Sequence, residues 1–254
     1  MDTARLSVVV PAYNEAGRLG ASLPRLVDRL TGAELIVVDD GSTDDTADLA
    51  KQLLQDMPAA RVLGRPHAGK GAAVRAGVLD ATRDVVVFMD ADLATDLNDL
   101  EPLLTALDHA DIAIGSRRTV GAEVRDGERS RAAIAWTGNA IVRGLTPLRM
   151  RDTQCGFKAF ARPTAQLLFG MARTDGFGFD VEILTIAHRL GLRVAEVPVS
   201  WTAVEGSHVR PVADSLGTMA EVARISWRWR RRVARAQATE RGWSPDGTAP
   251  RPAV

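Results

Sequence analysis

Short apolar runs alternate with longer stretches of helical spacing through the first half of the chain. Leu6–Pro11, Glu34–Val38, Ala60–Leu63, Val85–Met89 and Ile112–Gly115 are short and mostly rich in β-branched residues, as buried strands are. Between them, helical patterns run from Asn14-Glu15 to about Leu30, from Ser42-Thr43-Asp44-Asp45 to about Gln55, over Gly69–Ala81 and over Leu97–Leu107. The Ser-Thr-Asp-Asp cluster supplies an N-cap and first-turn acids. Strands and helices alternating at these lengths predict an α/β fold with a mostly parallel sheet. After Gly115 the pattern loosens. Arg117–Arg129 reads as a charged loop, Arg131–Leu145 as a helix and Asp152–Phe160 as short and mixed. Phe179–Leu190 reads as an amphipathic helix, Val194–Trp201 as a strand, and the Pro-, Gly- and Ala-rich Thr239–Val254 as a disordered tail. No internal repeat is visible.

Composition narrows the function classes modestly. The 254 residues suffice for a substantial core, and 46% hydrophobic with 25% charged residues is ordinary for a soluble globular protein. The 32 basic and 32 acidic residues cancel, so global charge gives no argument for nucleic acid. One cysteine, Cys155, excludes an internal disulfide framework and fits a reducing compartment. Neither a signal peptide nor an apolar stretch near the roughly 18 residues of a membrane span is seen, so membrane contact is expected to be peripheral.

The chemistry gathers after the apolar runs. Val85–Met89 leads into Asp90-Ala91-Asp92. Strand alternation would turn both carboxylates to one side, where hard oxygens suit Mg²⁺ or Mn²⁺ carrying phosphate. Pro11-Ala12-Tyr13-Asn14-Glu15 follows the first strand and offers a ring and a carboxylate to a nucleobase. Asp39-Asp40-Gly41-Ser42 follows the second, where a carboxylate can accept from a base N–H. Each of these also serves as ordinary turn chemistry. Gly64–Lys70 has the Gly-x4-Gly-Lys core of a phosphate-binding loop. Gly71 stands where that motif needs a Ser or Thr hydroxyl, and Pro66 removes an N–H, so a P-loop ATPase is disfavoured. Lys70 at a helix start still suits a diphosphate.

Arg117, Arg118, Arg129 and Arg131 place cations beyond the fifth strand, and arginine's planar fork suits phosphate. Asp152-Thr153-Gln154-Cys155-Gly156-Phe157-Lys158 has no core pattern and reads as a binding loop, with Cys155 a buried thiol. Asp180 opens a helix, either as a first-turn acid or as a group reaching the site. The four histidines form no zinc-spaced cluster. Val222–Thr239 holds six arginines, no acid and the Trp227/Trp229 pair, which suits a lipid headgroup interface better than nucleic acid.

In this order the motifs resemble glycosyltransferase family 2, with its GT-A fold. Pro11–Glu15, Val38–Thr46, Gly69–Gly77, Asp90-Ala91-Asp92 and Gly115–Arg117 match its nucleotide half. Arg129-Ser130, Asp152–Lys158, Phe179–Leu184, Glu196–Trp201 and Glu205-Gly206-Ser207 look like the dolichyl-phosphate β-glucosyltransferase branch and its bacterial polyprenyl-phosphate relatives. The resemblance implies a single domain over 1–238, with a nucleotide-sugar half (5–118), an acceptor half (119–215) and a basic helix (216–238). It implies that Pro11, Tyr13, Glu15 and Asp39 or Asp40 hold the base and ribose. Lys70 would lie near the diphosphate, Asp90 and Asp92 would hold Mg²⁺ or Mn²⁺, and Ala91 would lie between them. Arg117 and Arg129 or Arg131 would bind the acceptor phosphate, with Asp152 and Gln154 near the sugar. Asp152 or Asp180 would steady positive charge on the sugar ring. The expected enzyme is a metal-dependent, inverting hexosyltransferase, peripheral on the cytoplasmic face of the membrane. It would use a nucleotide diphosphate sugar (UDP-glucose by resemblance; UDP-GalNAc and GDP-mannose also fit) and polyprenyl phosphate. Two positions depart from relatives: Ala94 replaces the Gln of the mannosyl enzymes, and His208 replaces a Lys. Oligomeric state is not legible.

Overall fold

The structure, a computed structural model, describes residues 2–125, 140–204 and 217–229. Its core is a seven-stranded sheet in the order β3-β2-β1-β4-β7-β5-β8. The strands are β1 (Leu6–Ala12), β2 (Glu34–Asp39), β3 (Ala60–Gly64), β4 (Val85–Met89), β5 (Ile112–Ser116), β7 (Phe157–Ala161) and β8 (Val194–Pro198). All run parallel except β7, which pairs antiparallel with both β4 and β5. A small parallel pair, β6 (Glu123–Arg125) with β9 (Ser200–Thr202), lies beside it.

The apolar strands are continuous because both sheet faces are covered. Val8 and Val10 pack with α1 (Ala16–Arg29), α2 (Thr46–Leu54) and α4 (Leu100–Thr105). Val9 points the other way, into a core shared with α3 (Lys70–Asp80), α6 (Arg162–Met171), α7 (Phe179–Arg189) and the helix 217–229. A fifth helical segment, α5, covers 140–145, and 217–229 is α8. Glu34 ties the opposite end of the sheet together, accepting from Ser7, Arg61 and Thr82. Burial pushes its carboxyl up, but those bonds prevail and bring it down to about 2.

Several expectations are corrected. Asp152–Lys158, expected to be a binding loop, is loop only as far as Gly156; Phe157–Ala161 is a central strand. Val194–Trp201 splits at Pro198, and the chain after it pairs with β6 rather than β5. Proline has no N–H to give a continuing ladder. Arg117–Arg129 contains β6. Helix α7 is buried on every side from Phe179 to Ala187, because the sheet, α6 and α8 enclose it, so it is not amphipathic there. Arg129, Arg131, His208 and Thr239–Val254 lie outside the described residues.

The order 3-2-1-4 makes a switch point. From β1 the chain winds outward through β2 and β3, then returns to the other side of β1 as β4. The crevice beyond the carboxyl ends of β1 and β4 is where open α/β sheets take ligands. The antiparallel β7 brings the loop before it, 152–156, to the same end.

Candidate active site

Asp90 and Asp92 lie at this crevice, but not through strand alternation. β4 ends at Met89, and the acids sit in a tight turn in which Leu93 N–H donates to Asp90 O (3.2 Å) with Leu93 at φ 50°. The turn still brings the two carboxylates together. Burial pushes the Asp92 carboxyl upward, and the Asp90 charge adds to the push; Ala94 N–H, Lys70 and Arg18 oppose it. Lys70, the first residue of α3, pairs with Asp90 (Nζ to Oδ1, 2.6 Å). Arg18 Nη1 is 3.9 Å from Asp92 Oδ2 while its Nη2 donates to Glu15 (2.6 Å). Ala94 offers only its backbone N–H to Asp92 (3.1 Å).

Two mutually repelling, partly desolvated carboxylates in an open crevice fit a divalent cation that takes its remaining oxygens from a diphosphate. Among the described residues no cluster of three or more metal-ligating side chains occurs.

The structure separates Asp39 from Asp40. Asp40 is buried and committed inward, accepting from Arg65, His67 Nδ1 (2.9 Å to Oδ2), Ala68 N–H and Gly69 N–H (2.7 Å). Its carboxylate thus occupies the backbone amides that a phosphate-binding loop would offer a phosphate. The Asp39 carboxylate accepts from Ser42 N–H (3.3 Å), and its backbone O accepts from Arg65 N–H (3.0 Å). Gly71 is explained too: a Cβ there would lie 2.6 Å from Phe179 Cβ and 2.7 Å from Thr174 O. Gly71→Ser, which would complete the P-loop motif, is therefore expected to destabilise by about 1–3 kcal/mol through overpacking and to confer no ATP hydrolysis. Urea melts and a phosphate-release assay check both parts.

Tyr13 is exposed at the end of β1, and its ring stacks on His67 (centroids 4.1 Å apart, planes at 23°). Pro11 is half-buried within β1. Across the crevice, Arg117 grips Asp152 with Nε (2.7 Å) and Nη2 (2.9 Å) and packs 5.8 Å from the Trp201 ring centroid. Burial works against the Asp152 carboxylate, yet Arg117 holds it below the usual range. Glu196 fixes that loop by accepting from the N–H groups of Arg151 and Asp152. Gln154 is exposed in the same loop. Gly156 abuts Asp90: its O accepts from Asp90 N–H (3.1 Å), and any Cβ would overlap the Asp90 carboxylate. Cys155 is buried with its thiol pushed up to about 11 by burial, consistent with an inert thiol rather than a nucleophile.

Asp180 pairs with Lys158 (2.6 Å), the two side chains being 5% and 1% exposed. Lys158 also donates to Cys155 O (2.6 Å) and lies 5.2 Å from the Phe88 ring centroid. Burial pushes the Asp180 carboxyl up; Lys158 and Lys70 pull against it. Sequence reasoning assigned no role to Arg18, His67, Gly156 on its own, or Lys158. A lysine facing a phenylalanine across two strands was the one signal available, and it needed the β7 register to be seen.

The family model described as "Glycosyl transferase family 2" matches residues 7–167. Dolichyl-phosphate beta-glucosyltransferase of Dictyostelium discoideum is 34% identical over 248 residues, covering 90% of this chain and 76% of that protein. Undecaprenyl-phosphate mannosyltransferase of Micrococcus luteus is 34% identical over 206 residues, covering 79% of this chain and 85% of that one. Among solved structures, glucosyl-3-phosphoglycerate synthase from Mycobacterium tuberculosis in complex with Mg²⁺ and UDP superposes with a TM-score of 0.65 at 25% identity, over 87% of this chain and 79% of that one.

Proposed function

Because this chain belongs to glycosyl transferase family 2, we propose that it moves a glucosyl residue from UDP-glucose to a polyprenyl phosphate at a membrane surface. The observation that carries the reading is the convergence, at one switch point, of the Asp90/Asp92/Lys70 cluster with the Arg117–Asp152 pair. The lipid-phosphate relatives support the acceptor, and the UDP complex of the structural neighbour supports the donor base.

Asp90 and Asp92 would hold Mg²⁺ or Mn²⁺, which when bound neutralises charge on the leaving diphosphate. Lys70 adds a fixed cation beside it, at the start of α3. Tyr13 and Asp39 meet the base and ribose; Asp40 is withdrawn from that role by its internal partners. Arg117, oriented by Asp152 and Trp201, draws in the acceptor phosphate together with Arg129 or Arg131. That phosphate is already anionic near neutral pH, so no strong general base is required. Asp152 or Asp180 would steady the sugar ring as it develops positive character. Single displacement inverts the anomeric centre.

The test is transfer of radiolabelled glucose from UDP-glucose, with and without polyprenyl phosphate and Mg²⁺. Label in the organic phase only when both are present supports the proposal. Label that stays aqueous in every arm refutes it.

No helix among the described residues is long and apolar enough to cross a membrane. We place membrane contact on the outer face of α8, narrower than the sequence implied. Trp229 is buried (7% exposed) and Arg228 is paired with buried Glu182, so only Trp227 (57% exposed) turns outward of the three. Truncation at Val222 would remove core residues, which makes a point substitution the cleaner probe. Trp227→Ala is expected to lower partition onto phosphatidylglycerol vesicles about tenfold, the worth of one aromatic side chain, and to leave UDP binding alone. Unchanged flotation with vesicles would remove α8 from the membrane role.

A further inference from the structure

Helix α8 does more than cover the sheet, because two of its side chains reach the segment behind the donor cluster. Glu221 Oε2 accepts from Gly178 N–H (2.7 Å). Gly178 is the N-cap of α7 and has no side chain to cap with, so Glu221 supplies the cap from another helix. The fit is tight on both sides of it. A Cβ at Gly178 would lie 2.8 Å from Glu221 Cβ, and one at Gly176 would overlap the Glu221 carboxylate. Two turns further along α8, Arg228 donates to Glu182 Oε1 (2.7 Å), whose other oxygen accepts from the N–H groups of Arg173 (2.8 Å) and Thr174 (2.6 Å). Both ends of 173–178 are thereby fastened to α8, directly or through Glu182.

The same segment forms the backing of Lys70. Asp175 O accepts from Ala72 N–H (3.1 Å), and Asp175 Oδ1 accepts from Arg75 Nη2 (2.6 Å). Gly69, at φ 117°, passes so close that a Cβ would stand 2.6 Å from Asp175 O. The Phe177 ring centroid is 6.0 Å from Lys70 Nζ. Just beyond the capped end of α7 comes Asp180 with its Lys158 partner.

We infer that Glu221 is a positioning residue for the donor cluster: by capping α7 and filling the Gly176/Gly178 cradle it fixes the segment that backs Lys70 and leads into Asp180. This deepens the proposed transfer reading and rests on it in that Lys70 faces the donor diphosphate. It also makes the helix that would meet the membrane a mechanical neighbour of the donor site.

Two measurements on the full chain decide it. In Glu221→Ala, amide hydrogen exchange at 174–180 rises about tenfold, as loss of an ordinary cap would give, while amides of β1 and β2 keep their protection. The KM for UDP-glucose rises by about the same factor, and the KM for polyprenyl phosphate stays within about twofold, a split that general destabilisation would not produce. Glu221→Gln, which keeps an acceptor oxygen of the same shape, restores both to near the parent values. Unchanged exchange at 174–180 in Glu221→Ala, or the two KM values rising together, overturns the inference. The exchange result stands without any turnover, so its failure is distinct from failure of the transfer reading.

Discussion

Asp92→Asn is expected to cut productive transfer severely while raising the thermal stability of the protein in the absence of divalent metal. The two effects share one cause. Burial and the neighbouring Asp90 charge hold the Asp92 carboxyl above its ordinary range. A carboxylate whose folded pKa is raised weakens the fold at any pH above its unfolded value, because the unfolded chain ionises more readily. Asparagine removes that penalty at neutral pH and keeps the shape. It also removes one of the two carboxylates proposed to hold the metal. Transition-state stabilisation should fall by about 3–4 kcal/mol, a loss of about 100- to 1,000-fold in kcat/KM, by comparison with removing one preorganised electrostatic group. Melting curves with EDTA, and with Mg²⁺ plus UDP, check the account beside turnover. The parent should gain stability from Mg²⁺ and UDP, and the variant should start higher and gain little. A variant that turns over normally removes Asp92 from the chemistry; one that melts lower in EDTA contradicts the repulsion between the acids.

Lys158→Met is expected to be the most destabilising single change at the site, by about 3–5 kcal/mol, because it leaves the Asp180 carboxylate buried without its cation. It also frees Cys155 O, and with it the loop whose Gly156 holds Asp90. Asp180→Asn in the same background should recover most of the loss, since a neutral amide no longer needs a counter-charge. Activity should not return with it, because the Lys158 anchor of the loop that holds Asp90 is still missing. Urea denaturation of the two single variants and the double variant gives the coupling directly. Additive losses would show that the pair does not act as a unit.

Much of the architecture was legible because its strands are short, β-branched and bounded by turn residues. Each of the first five is seen within one residue of its expected ends. Strand β7 was not legible. Phe157-Lys158-Ala159-Phe160 carries a lysine in its middle, and a buried cation in a central strand makes sense only once Asp180 and Cys155 O are seen to receive it. The convergence of Asp90 and Asp92 was anticipated for the wrong reason, since a turn rather than an extended strand brings them together. Asp39 and Asp40 could not be told apart in one dimension. The difference lies in a loop 25 to 29 residues later, whose Arg65 guanidinium and Gly69 N–H close on the Asp40 carboxylate, while Asp39 gives that loop only its backbone O, which accepts from Arg65 N–H. Likewise, the Trp227-Arg228-Trp229 run reads as uniformly interfacial, yet helical rotation sends Trp229 into the core and Arg228 to Glu182.

In the proposed mechanism Asp90 and Asp92 together seat the divalent cation that grips the donor's diphosphate within reach of Arg117. A crystal grown with Mn²⁺ and a UDP-sugar, with anomalous data collected at the manganese edge, tests it most directly. The expected map has one strong anomalous peak ligated by both carboxylates and by diphosphate oxygens, with the sugar turned toward Arg117 and Asp152. A nucleotide bound away from these aspartates, or a manganese peak that touches neither, would contradict it.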